Sequence, residues 1–498
     1  MILFNLIKSK LNSYQKTASG SVSVWVALSL PLLVGGGALS VDMSRFYNMD
    51  NELQSAVDAL ARAGAAELDQ RPDSLSRASR AILSLVNNKQ SFASDGKGNV
   101  EVETIKYLKS LPGNEYESVG DEYTTTEPSE ARYVEVSIKP ETVNTLFPAN
   151  FVSLVTNVTL KAQSLAAFDQ TICTTAPVFF CNPAEDLGES IYELMEDPSF
   201  QRRQIQFKSS GNGNSQYGPG NFGYLDPFGG NSGASVITDA IAIDKTNACF
   251  SKSAGVKLRP GNIASARQGF NTRFDIYEGP YKKKNTDPRY APAANVTKGY
   301  TGKNACSVSP SLDALGLPND KCFSAGSCTG ADGRMGDGEW DFIEYMRVNH
   351  NYMRNVTIEG TQYSINYTAM TMTPSYPPSR YAVYRWEIDN NSIPGAKTYG
   401  KFAVSEEEGH PTCHSSGASV VVEDRRVIQA ALLNCGAIEA SGVSMAGRTD
   451  ALPVETFVKV FLTQPMGQGK DSTLWGEIIG PVVQGEDSVS RDEIALVR

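Results

Sequence analysis

The sequence predicts an α+β chain in three parts. A transmembrane helix continues into an amphipathic helix set against a small antiparallel sheet, and a β-rich, disulfide-bonded region outside the membrane follows. Three observations predict this order. The stretch from Ser21 to Val41 carries no charge over about 20 residues, enough for a helix to cross a hydrocarbon core. Apolar residues then recur at helical spacing without a break. All 8 cysteines lie at or after Cys173, among turn-forming residues and short apolar runs.

The bulk composition bounds the function. A chain of 498 residues with 41% hydrophobic and 20% charged residues can bury cores and is no disordered polymer. Its formal net charge of -10 disfavours nucleic acid, whose backbone calls for a basic surface. The one basic run, "YKKKN" at Tyr281–Asn285, reads as a solvated loop.

Lys8, Lys10 and Lys16 precede the apolar stretch, while Asp42, Asp50 and Glu52 follow it with only Arg45 against them. The positive-inside rule then puts the N-terminus in the cytoplasm and the bulk of the chain outside the membrane. Pro31 and Gly35-Gly36-Gly37 weaken a helix, but membrane helices tolerate them. Past Val41, Phe46, Met49, Leu53, Val57, Leu60, Gly64 and Leu68 step by three and four along one helix face. The stripe suits a partner helix and the chain's own strands equally. A continuous rod from Ser21 to Leu68 would measure roughly 70 Å. Pro72 stops it, and Ser74 is placed to cap a second helix bearing Leu75, Ala78, Ile82 and Leu85. The alternative is a secretory signal cut at Ala38-Leu39-Ser40. Against it, the apolar stretch exceeds the roughly 7–15 residues of a signal core, and the cut would sever the helix.

The string "GSVSVWVALSLPLLVGGGALSVDMSRFYNMDNELQSAVDALARAGA" resembles the N-terminal module of TadG-like proteins of the bacterial tight-adherence (Tad, or Flp) pilus system. The matching positions are Gly20, Val41-Asp42, Phe46-Tyr47, Leu53-Gln54, Asp58-Ala59 and Ala63-Gly64-Ala65. The resemblance implies a pilin-like module in an inner-membrane pilus-assembly component. Its partners would be other Tad components, including pseudopilins and the inner-membrane platform. Prepilin processing favours Glu five residues after the cleavage glycine; after Gly20 that place is Trp25, which fits TadG-like proteins better than the pilin subunit. Many relatives carry a von Willebrand A domain with a DxSxS site. The nearest string here, Asp42-Met43-Ser44-Arg45-Phe46, fails that pattern, so the likeness is to the form without the domain.

The expected division is a basic tail (1–20), the transmembrane helix (21–41), the pilin-like module (42–170) and the β-rich region (171–498). "RYVEVSIKP" alternates Val134, Val136 and Ile138 against Tyr133, Glu135 and Ser137, a half-buried strand, and "TNVTLKAQSLAAF" offers another. Further on, "ASVVVEDRRVIQAALLNCGAI", "VETFVKVFLTQPM" and "WGEIIGPVV" read as buried strands. "PGNFGYLD", "NTRFDIY", "MGDGEWD" and "DRRVIQAALLNC" resemble segments of the same group of proteins. The even cysteine count suggests disulfides in an oxidising compartment. Cys173 with Cys181 and Cys413 with Cys435 are the expected local pairs, the second adding roughly 3 kcal/mol by loop closure. Cys249, Cys306, Cys322 and Cys328 are left unassigned.

Candidate chemistry is sparse. Asp332, Asp337, Glu339 and Asp341 in "GADGRMGDGEWDFIEY" offer oxygen ligands to calcium, although an EF-hand register puts Gly333 and Met335 where carboxylates belong. A charged turn before a helix is the plainer reading. Gly218-Pro219-Gly220-Asn221-Phe222-Gly223 matches GxGxxG without the flanking strand and helix of a dinucleotide site. His410 and His414 flank Cys413, which a disulfide would remove as a metal ligand. Gly442-Val443-Ser444-Met445-Ala446 nearly matches a nucleophile elbow but lacks its last glycine, and both of those histidines precede it. The expectation is a non-enzymatic pilus-assembly protein without a cofactor: minor-pilin-like, envelope-linking, or exposed at the surface. An adhesin that uses the helix only as an anchor is the alternative.

Overall fold

The computed structural model describes residues 19–69, 71–84, 100–112, 119–146, 157–173, 176–188, 190–209, 217–227, 232–243, 248–252, 254–298, 306, 315–395, 409–415, 423–445, 449, 451–467, 473–483 and 490–497. The basic tail, Leu85, parts of the 210–233 loop and the "ASVVV" run lie outside them. The chain divides into two compact units: residues 1–168 with 494–498, and residues 169–493. The last few residues thus return to the first unit, where the sequence placed them in the second.

Unit 1 is built on one helix, α1 (Ser19–Ala65), which runs through Pro31 without ending. The proline removes one backbone hydrogen bond without ending the helix. After a turn comes α2 (Ser74–Ser84). Ser74 does not act as a cap: it is the first helical residue and its Oγ is buried without a hydrogen-bond partner. Strands β1 (Val102–Leu108), β2 (Tyr133–Ile138) and β5 (Gln163–Cys173) form an antiparallel sheet in the order β1-β2-β5, and the chain's last strand, Ser490–Leu496, lies beside β5. β3 (Glu141–Asn144) and β4 (Asn157–Leu160) form a separate antiparallel pair.

β2 alternates as its sequence does. Val134, Val136 and Ile138 are buried, and Tyr133, Glu135 and Ser137 are half-buried. That face receives the second half of α1: Met49, Leu53, Val57 and Leu60 share one core with Val134, Val136, Ile138 and the α2 residues Ala78 and Ile82. Each fully buried Leu or Val there contributes roughly 1.5–3 kcal/mol. Gly64 lets α1 and α2 approach closely, since a Cβ at that position would stand 2.6 Å from Ile82 Cδ1.

Unit 2 is dominated by a sheet of β6 (Val178–Cys181), β7 (Ile205–Ser209), β8 (Asn221–Leu225), β10 (Leu258–Arg259), β14 (Val427–Leu433), β15 (Thr456–Leu462) and β16 (Thr473–Pro481). The order is β10-β8-β6-β14-β15-β16-β7, and β7 pairs back onto β8, so all but β10 close into a ring. Closure leaves those strands few open edges. One alternation from every strand of the ring shares a core: Phe180, Phe207, Phe222, Ile428, Val460 and Leu474. Only the inside of a closed sheet brings all of them together. The opposite alternation, with Phe179, Ala431 and Phe457, enters a second core. Gly223 must be glycine, since a Cβ there would lie 2.5 Å from the Phe179 ring. A further three-stranded sheet, β11 (Asn355–Ile358), β12 (Thr361–Asn366) and β13 (Thr371–Thr373), shares its core with helices α5 (Phe342–Asn349) and α6 (Arg380–Asp389); α3 (Ala234–Ala242), α4 (Ala266–Asn271), α7 (Cys435–Ala440) and β9 (Cys249–Ser251) complete the elements used below.

The cysteines pair Cys173–Cys249, Cys181–Cys435, Cys306–Cys413 and Cys322–Cys328. This corrects the expected Cys173–Cys181 and Cys413–Cys435 pairs. β5 and β9 align Cys173 directly with Cys249. β6 runs parallel to β14 with Cys181 opposite Leu433, which brings it next to Cys435 two residues later. Strand register over long separations decides these two pairs, whereas Cys322 and Cys328 are only 6 residues apart.

Candidate functional site

The two halves of α1 present different surfaces. In the first, the large apolar side chains are exposed and only Ala38 is buried among the described side chains from Val24 to Val41: Trp25 is 73% and Leu32 78% accessible, with Leu28, Leu33 and Val34 similarly open. This is the one helix among the described residues long and apolar enough to cross a membrane. In the second half only one stripe is apolar, and it is covered. Of the five predicted packing residues, Met49, Leu53, Val57 and Leu60 are buried and Phe46 packs partly buried at the edge of the same core. Their partners are the chain's own strands and α2, while Met43 and Tyr47 on the same half stay exposed.

The halves meet at Asp42. Although charged, it is buried, and its Oδ1 accepts a hydrogen bond from the Leu146 amide at 2.8 Å. Arg45 lies 3.9 Å from the same carboxylate and donates to the Asn144 carbonyl at 3.3 Å. These bonds fasten the end of β3 to the helix at its first charged residue. Nothing in the spacing of Asp42 and Leu146 along the chain announces the link.

The proposed calcium ligands do not converge. Asp332 pairs with Arg334 (3.5 Å), Asp337 accepts from the Glu339 amide, and Asp341 caps α5 by accepting from the Glu344 amide. Among the described residues no group of three or more His, Cys, Asp or Glu side chains stands close enough to hold a metal. The carboxylate that organises this loop is instead the buried Asp320, which accepts from the Gly338 and Gln204 amides and from Arg380 Nη2 at 2.6 Å. Arg380, fully buried, also donates to Glu477 at 2.7 Å and lies 5.1 Å from the Trp340 ring centre. The sequence marked none of these three charges, because they are 60 and 97 residues from Arg380.

The other candidates take structural places. Gly218–Gly223 leads into β8, a strand, where a dinucleotide site needs a helix. Cys413 is bonded to Cys306, and its neighbour His414 reaches the Asp287 carbonyl at 3.2 Å. Ser444 follows the helix α7, where a nucleophile elbow has a strand before the serine. A different acidic group stands out: Glu185, beside Asp186, Glu439 and Glu455, accepts from the Gly436 amide in the first turn of α7. Burial first, then those three carboxylates, push its carboxyl up to about 7 against the pull of the amide.

Residues 20–67 match the family described as "Putative Flp pilus-assembly TadE/G-like". No match was found among curated proteins, nor among solved structures. The match begins at the start of α1 and ends just past it, taking in the exposed apolar half, the Asp42 junction and the buried stripe. Residues 20–67, nearly all of them in α1, are thus the part of the chain that is similar to TadE/G-like Flp pilus-assembly proteins.

Proposed function

We propose that the chain is a single-pass, inner-membrane component of Tad/Flp-type pilus assembly, with its N-terminus in the cytoplasm and its bulk in the periplasm. The observation that carries this reading is the coincidence of the family match with a helix whose first half is apolar on every side. In this role the exposed half of α1 seats the protein among lipids and neighbouring helices. The second half is committed to its own sheet and transmits that position to the folded units. The role is structural and non-enzymatic, minor-pilin-like or envelope-linking, and the disulfides suit an oxidising compartment.

The test is to delete the chain from a piliated host and restore it either whole or without residues 24–41. Loss of filaments on deletion, return with the whole chain and no return without the apolar half are expected. Normal filaments in the deletion strain would overturn the reading. Mass analysis of the N-terminus, from membranes and from sheared filaments, reports whether the helix is intact and where it resides.

A further inference from the structure

We propose that a cleft on the outer face of the closed sheet, lined by Trp475 and Gln206, binds an uncharged saccharide. The cleft follows from strand register. β7 and β16 are antiparallel, with Leu474 opposite Phe207 and Trp475 opposite Gln206. Leu474 and Phe207 fill the inside of the ring, so period-two alternation turns Trp475 and Gln206 outward, side by side. Both are only half-buried. Phe323 meets the Trp475 ring edge to face, with centroids 4.8 Å apart and planes at 86°. Such a contact uses at most one face of the indole. With Asn319 and Ser324 these residues line a cavity of about 410 Å³, within the roughly 300–1,000 Å³ of small-ligand sites.

The walls are fixed before anything binds. The Cys322–Cys328 disulfide, its cysteines 6 residues apart, brackets Phe323 and Ser324 and itself lines the cleft. The Gln206 backbone amide donates to the Arg334 carbonyl at 2.8 Å, which ties the neighbouring loop to β7. Asn319 precedes the buried Asp320, whose carboxylate is held by Arg380 and by the Gly338 and Gln204 amides. A site already in place loses little on ordering its walls. The lining then selects the chemistry. None of the described residues that line the cleft is charged, so an ionic ligand would give up hydration without meeting a counter-charge. A wholly apolar ligand fails in the other direction, because it would cover the Gln206 and Asn319 side chains without giving them a partner. Among the described residues no hydrogen-bond partner meets either side-chain amide or the Trp475 indole N–H, and Asn319 Oδ1 is buried in that state. The terminal torsion of an asparagine is broad, so that amide turns readily to a hydroxyl. A pyranose ring supplies both halves of the match: a C–H face to lie on the indole, and hydroxyls around its edge that give and accept hydrogen bonds. All of these residues belong to unit 2, so failure here leaves the anchor reading untouched, and the reverse.

The experiment titrates the full chain, in a sugar-free detergent, with tetrasaccharides whose protons are followed by saturation-transfer NMR. Chitotetraose carries the N-acetylhexosamine chemistry of a cell wall, maltotetraose the plain hexoses of a secreted polysaccharide, and tetragalacturonate is charged. Transfer to one or both neutral probes and none to the charged one is expected, and the neutral probe that binds better identifies the source. Trp475→Ala should weaken that binding by about tenfold or more. Trp475→Phe, which keeps a flat ring, should weaken it less, and Gln206→Ala should cost a few-fold. No transfer to either neutral probe, equal transfer to tetragalacturonate, or undiminished affinity in Trp475→Ala would overturn the proposal. Should Trp475→Ala not fold, the native chain is oxidised with N-bromosuccinimide and the rate at Trp475 is read by mass analysis of its peptide. The neutral saccharide is expected to slow that rate several-fold and to leave Trp386, which does not line the cleft, unchanged. A rate at Trp475 that the saccharide does not alter overturns the proposal. So does an indole that resists oxidation before any saccharide is added, since protein would then already fill the cleft.

Discussion

In unit 1 one helix face lies on one face of a sheet, Leu53 and Val57 against Val134 and Val136, without a cysteine. In unit 2 every cysteine is bridged, the main sheet closes on itself, and Asp320, Arg380 and Glu477 are enclosed together. The first arrangement needs only correct periodicity along a short length of chain. The second needs partners to meet from far apart, and covalent and ionic ties then fix the register. The comparison teaches that a unit built from distant pieces relies on groups that are costly when unpaired, whereas a unit built around one long helix relies on apolar area.

The largest expected effect breaks unit 2 alone. Arg380→Ala leaves two buried carboxylates without their cation and is expected to cost about 3–5 kcal/mol. Hydrogen exchange with mass spectrometry in rising urea should show peptides of residues 169–493 opening early and those of unit 1 unchanged. Leu53→Ala is the converse, with an expected loss of about 3 kcal/mol from a cavity under α1, visible as early exchange in β2 and α2 only. Next comes the paired variant Cys181→Ser with Cys435→Ser, expected to lower unit 2 stability by about 2–4 kcal/mol; a reducing agent should act likewise and leave unit 1 untouched.

The smallest effect is a pH dependence. The Glu185 carboxyl is raised from its ordinary 4.5 to about 7, so between those values the folded chain holds a proton that the unfolded chain has released. Its contribution is full below about 4.5 and is lost as pH rises to about 7. Glu185 should therefore add about 1 kcal/mol to the stability of unit 2 on acidification from pH 8 to 5, after allowance for the partial exposure of the group. Glu185→Gln should remove that share of the slope and leave the share of Glu477, which is also raised to about 7; an unchanged slope would refute the assignment.

What the sequence made legible follows the same division. The stripe from Phe46 to Leu60 and the alternation of Val134, Val136 and Ile138 are local periodicities, and both appear where they were read. The runs around Ile428, Val458 and Ile478 were legible as strands, but their closure into a ring was not, because β7 meets β8 through a pairing of only a few residues. Cys181 finds Cys435 across 254 residues, and Asp320 finds Arg380 across 60. Neither carries a local signal. The acids from Asp332 to Asp341 gave the reverse lesson: nearness in sequence suggested one ligand set, while Asp341 caps a helix and Asp332 turns to Arg334.

The return of the final strand to β5 has one more consequence. The chain leaves unit 1 after Phe168 and re-enters it at Ile494, on neighbouring strands of one sheet. In sequence, unit 2 is therefore an insertion between two strands of unit 1. A miniature joining Phe168 to Ile494 by a short turn should still build the sheet that packs on α1, because every residue of that core lies outside the insertion.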